Sequence, residues 1–145
     1  MTTIVIPGSI RTPVGGWISV GLGGYAFVGG LLTLLGWVLD IRRFTDWNNS
    51  GIAQMPNNAL GVLSTGAAVV LLSLGLRRTG AVLGGFAGVI GAATISEYFT
   101  GIDLGIDRLL VYREWGQLGT VTPGRMGPPG STALMIIGLS IVLSN

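Results

Sequence analysis

The chain has 145 residues, a formal net charge of +2 and only 10% charged residues, with a mean hydropathy of +0.70 and a pI near 9.7. That balance is too apolar for one small soluble domain and reads as an all-α integral membrane protein. Neither cysteine nor histidine is present, which excludes disulfides, thiolate chemistry, imidazole ligation of metal or haem and a neutral-pH imidazole proton shuttle.

Most enzyme mechanisms lose their main residues with that absence, and no enzyme, metal site or cofactor is expected. The eight basic residues are all arginines, set in ones and twos between apolar runs. No basic patch forms, so nucleic acid is not an expected partner.

In chain order, residues 1–16 lack the basic start and small-residue cleavage site of a signal peptide. They are expected at the membrane boundary, with Arg11 at the headgroups. The run 17–39 carries no charge until Asp40, and at a helical rise it reaches about 34 Å, enough to cross a bilayer. Trp17 and Trp37 stand near its ends, where indoles favour the headgroup boundary.

A connector follows from Asp40, carrying Trp47 and the turn pair Asn48-Asn49. Helix two is expected over 59–76, entered through Pro56-Asn57-Asn58. Leu76-Arg77-Arg78-Thr79-Gly80 reads as a tight turn, its arginines meeting anionic headgroups, and helix three as 81–98. Gly80, Gly84 and Gly88 recur every four residues beside Gly91, a small-residue face for close helix packing. That face serves either another helix of the same chain or another subunit.

A polar loop over 99–130 leads to a short fourth helix, 131–143. Met55-Pro56-Asn57-Asn58-Ala59-Leu60 before helix two resembles the approach from Met126 to Ala133-Leu134 before helix four, a shift of 74 residues from Leu60 to Leu134. The expected architecture is therefore four transmembrane helices arranged as two parallel helix-loop-helix repeats. Arginine density in the short turn places both termini in the cytoplasm of a bacterium, across its inner membrane, and both polar loops outside, although the raw arginine count points the other way.

Recognition chemistry concentrates between Glu97 and Leu134, which hold four of the six acids and three of the eight arginines. Asp103 and Asp107 stand four apart and would share a face of a helix; with Glu97 they offer a site for a cation or a basic ligand group. Alternatively each aspartate caps a short interfacial helix, paired with Arg108 and Arg113. Arg125 in Pro-Gly-Arg-Met suits a phosphate or carboxylate clamp, or bonds to loop carbonyls or Asp107. Trp47 and Trp115 read first as interface anchors.

The run Glu97-Tyr-Phe-Thr-Gly101-Ile-Asp103-Leu-Gly105-Ile-Asp107-Arg-Leu109-Leu110, then Pro123-Gly-Arg125-Met126 and Thr132-Ala-Leu134, resembles the N-terminal multi-helix membrane region of bacterial sensor histidine kinases. There, such a run precedes PAS and kinase modules. Here Gly127-Pro-Pro-Gly-Ser131 replaces the shorter link of that family, and no output module follows within the 145 residues. Two functions are thus expected in competition. One is a non-catalytic accessory subunit of a larger membrane complex, photosynthetic or respiratory, with lipids and other membrane subunits as partners. The other, which the resemblance implies, is a stand-alone sensory module with Glu97, Asp103, Asp107 and Arg125 as its ligand site.

Overall fold

A computed structural model describes residues 13–144, with side chains from Gly16 onward; the expectation for the N-terminal segment and Arg11 lies outside the described residues. Four α-helices follow one another: α1 Pro13–Val38, α2 Pro56–Ser73, α3 Arg77–Thr100 and α4 Pro128–Leu143. Single turns of 3-10 helix lie at Arg42–Phe44 and Ile106–Arg108. No β-strand occurs among the described residues; one antiparallel bridge joins Ile52 to Gln117.

Helix starts fall earlier than the apolar runs suggest. Pro56 and Pro128 open α2 and α4, because a first-turn position needs no N–H and proline already has the helical φ. The turn between α2 and α3 is Leu74-Gly75-Leu76 rather than 76–80. Gly75 has φ +85°, and the Leu76 N–H donates to the Leu71 carbonyl at 2.9 Å, so one left-handed residue closes α2 and α3 starts at once. Arg77 and Arg78 therefore form the exposed first turn of α3.

Gly16–Val38 and Arg77–Thr100 are long and apolar enough to cross a membrane, and α4 is apolar but shorter. α2 is the central helix. It packs against α1, α3 and α4, whereas α1 packs on α2.

Two helix pairs repeat one packing scheme. In the first, a Cβ at Gly30 would lie 2.6 Å from the Leu63 nitrogen and 2.7 Å from the Ala59 carbonyl, a Cβ at Gly23 would meet Gly66 and Val69, and one at Gly66 would meet Phe27. In the second, Gly91 meets Ser131 and Met135, Gly84 meets Ile141, and Gly138 meets Gly84 and Gly88. Gly84 and Gly91 stand 61 residues beyond Gly23 and Gly30, while Ser131, Met135, Gly138 and Ile141 stand 72 residues beyond Ala59, Leu63, Gly66 and Val69. The packing register of the second helices is thus 72 rather than the 74 of the Ala-Leu match, because Pro56 and Pro128 set the helix starts. Glycine at each crossing brings backbones into contact, where dispersion forces are short-ranged and strongest.

The loops 40–55 and 101–127 lie at the same end and fold into one cap. The Ala53 N–H donates to the Gly116 carbonyl at 3.1 Å, the Leu118 N–H to that of Gly51 at 3.4 Å, and the Asn57 amide to that of Ile106 at 2.9 Å. Trp37, Ala53, Met55, Met126 and Leu134 form the buried cluster beneath this cap. Along the helices beyond it, large apolar side chains such as Trp17, Leu22, Tyr25, Val82 and Val89 face outward.

Candidate functional site

The polar centre of the cap is Arg125. Its Nε lies 2.7 Å from Oδ2 of Asp107 and 3.2 Å from Oε2 of Glu97, and a terminal nitrogen lies 3.6 Å from Oδ1 of Asp103. The four residues named from sequence as a ligand site therefore do converge, but on one another. The arginine that was expected to grip an external anion is held by three internal carboxylates.

Backbone turns aim each group. Glu97 occupies the last turn of α3, which Gly101 ends in a left-handed conformation. The chain then doubles back, and the Leu104 N–H donates to Oε1 of Glu97 at 2.8 Å. Asp103 sits outside any helix and accepts from the Gly105 N–H at 2.9 Å, while Asp107 lies in the 3-10 turn. They do not share a helix face as the four-residue spacing suggested; the intervening turn breaks that periodicity.

Gly124 brings in the arginine. Its φ is +83°, and a Cβ there would stand 2.6 Å from the Asp107 carbonyl oxygen. Only glycine tolerates both that conformation and that approach. Gln117 holds the same turn by accepting from the Gly124 N–H at 2.8 Å.

Burial separates the acids: the side chains of Glu97 and Asp107 are 0% and 2% exposed, that of Asp103 59%. Burial works against the charge of Arg125, but the hydrogen bond to Asp107 and the charges of Asp107, Glu97 and Asp103 outweigh it and hold the guanidinium above its ordinary pKa. Three carboxylates and one guanidinium leave two formal negative charges in excess. Oδ1 of Asp107 has no hydrogen-bond partner, and Oε2 of Glu97 has only the ion pair.

Arg108 and Arg113 are not the partners of the two aspartates. Arg108 lies over the Tyr112 ring, 5.8 Å from its centroid, and Nε of Arg113 is buried without a hydrogen bond. Sequence reading also missed Tyr98, whose hydroxyl donates to the Met126 carbonyl at 3.0 Å and whose ring lies 5.7 Å from the Arg125 guanidinium carbon. Asn57 was read only as part of a helix entry. A polar residue directly after the first-turn proline of an apolar helix was the signal available.

The other residues singled out from sequence divide. Gly84, Gly88 and Gly91 pack against α4, and Gly80 against Leu72 of α2, so this face is used within the chain. Trp17 is 77% exposed, whereas Trp37 is 1% exposed and is no headgroup anchor. Its indole N–H donates to the Gln54 carbonyl at 2.8 Å, and its ring stacks on Trp115 with centroids 4.5 Å apart. Trp115 in turn donates to Oδ1 of Asp40 at 2.9 Å and lies beneath Arg42. Comparisons with family models, curated proteins and solved structures found no match.

Proposed function

We propose that this chain is a non-catalytic integral membrane subunit whose four helices cross the bilayer and whose α1 docks onto a larger membrane assembly. The observation that carries this reading is the outer stripe of α1. Trp17, Gly21, Gly24, Val28, Leu31 and Leu35 recur at spacings of four and three and so share one face, opposite Gly23, Gly30 and Trp37, which pack inward. A Cβ at Gly21 or Gly24 would meet nothing within 4 Å.

Bare glycine on an outward face contributes no packing to its own fold, but it lets a neighbouring helix approach closely in lipid. The outward apolar side chains and the cap-level core fit a lipid surround. Arg77 and Arg78 crown the opposite end, at a helix N-terminus with no acid in its first turn. The helix dipole disfavours cations there, so anionic headgroups are their natural counter-charge, and arginine density puts that end in the cytoplasm of a bacterial inner membrane. A photosynthetic or respiratory complex is the kind of host this small chain suits.

Gentle detergent extraction, native gel separation and mass spectrometry of co-migrating chains test the proposal. Stoichiometric recovery in one large complex, lost in the doubly substituted G21L/G24L chain, is the expected result. Retention of that variant would remove the α1 face. A wild-type chain migrating alone would overturn the subunit reading and leave the stand-alone sensory module that the loop's resemblance implies.

A further inference from the structure

The cap carries more negative charge than its arginine balances. One carboxylate oxygen from each of Glu97, Asp103 and Asp107 lies within 4.8 Å of the other two. Arg125 occupies Oδ2 of Asp107, and Oδ1 of the same buried carboxylate is left without a donor, as is Oε2 of Glu97 apart from its ion pair. Buried carboxylate oxygens are ordinarily satisfied, and each exception calls for an ion, a water or a proton. Asp103 is the exposed member, so the cluster opens to solvent on one side.

We propose that Glu97, Asp103 and Asp107 bind a hard divalent cation of the magnesium or calcium class beside Arg125. Asp107 then bridges, with Oδ2 on the guanidinium and Oδ1 on the ion, and the two excess negative charges are neutralised. Oxygen donors alone select hard cations over zinc or copper. Three carboxylates fill part of a six- to eight-fold shell, and water entering past Asp103 supplies the rest, as such ions commonly retain. The site does not depend on the docking role of α1, which lies elsewhere in the fold.

The test uses the full chain in nanodiscs of phosphatidylcholine, a lipid without net charge, titrated with manganese(II) near neutral pH and followed by the loss of the free-ion EPR signal. One ion per chain is expected, displaced by magnesium or by calcium; whichever competes more strongly is the ion the site fits better. D103N keeps the acceptor for the Gly105 N–H and leaves the buried acids in place, so the fold is retained. Because outer-shell partners alone alter metal affinity by roughly 10–100-fold, loss of a ligand charge should weaken binding by about tenfold or more. E114Q, an exposed acid of the same cap, should bind as wild type does. Manganese left unbound at millimolar concentration would overturn the proposal and make a proton the neutralising partner. Equal weakening by D103N and E114Q would also overturn it, showing diffuse attraction instead of a site.

Discussion

Arg125 and Asp107 meet at 2.7 Å because Gly124 presses its backbone against the Asp107 carbonyl, so a close backbone approach and the loop's shortest ion pair are one feature. The pair is enclosed, with Arg125 7% and Asp107 3% exposed. A buried ion pair is weak evidence of net stabilisation, since desolvation opposes it, but removing one partner strands the other.

R125A should therefore destabilise the fold by about 3–5 kcal/mol, read as a lowered unfolding temperature in detergent. E97Q should cost less, because it lowers the excess negative charge and keeps an oxygen for the Leu104 N–H. The double variant E97Q/R125A should recover part of the loss. An R125A chain as stable as wild type would remove the clamp role of the cluster.

Overpacking separates the inward glycines from the outward ones. G138A places a methyl against Gly84 and Gly88 backbone and should cost about 1–3 kcal/mol. G21L, whose added Cβ points into open space with nothing within 4 Å, should leave the unfolding temperature of the isolated chain unchanged. Equal losses would contradict the packing of α1 and α4 described above.

The two loop-end tryptophans should differ as well. W37A removes a buried ring, its stack on Trp115 and its bond to Gln54, and should cost about 3–5 kcal/mol. W47A should cost far less, since Trp47 is 60% exposed and donates only to the nearby Phe44 carbonyl. Limited proteolysis of the cap reads the contrast: rapid cleavage within 40–55 is expected for W37A and not for W47A.

Acid should loosen the 40–55 loop through Asp46. Burial raises its pKa, but donations from the Ser50 and Gly51 N–H groups, the Ser50 hydroxyl and the Asn49 N–H prevail and hold it below the ordinary 3.8. A depressed folded-state pKa means the stabilisation is present above 3.8 and is lost as pH falls below it toward the folded value. Against the intrinsic exchange rate at each pH, the protection of the Ser50 and Gly51 amides should fall in that window in wild type and be low at neutral pH in D46A. Protection that ignores pH below 3.8 would refute this.

The residues of the cluster were legible in the chain, while their relation was not. Glu97 and Arg125 are 28 positions apart, joined by a loop whose path depends on contacts with the other loop. An aspartate pair at a spacing of four suggested a helix that Gly105 does not allow to form. The repeat was visible in composition, yet its register was displaced by two residues, since Ala-Leu pairs recur by chance in apolar runs whereas a first-turn proline marks a helix start.

By itself the sequence determined that the chain is helical, where its apolar segments run, and which stretch concentrates charge, because hydropathy and glycine or proline punctuation act over a few neighbouring residues. Only the tertiary structure decided the direction each group faces. Trp37 turns inward because Trp115 and the Gln54 carbonyl receive it; Gly84 and Gly88 serve α4 because Gly138 lets two backbones meet; and Arg125 faces three acids because two loops from different halves fold over one end of the bundle. Those outcomes rest on contacts between residues distant in the chain, which local propensity does not encode.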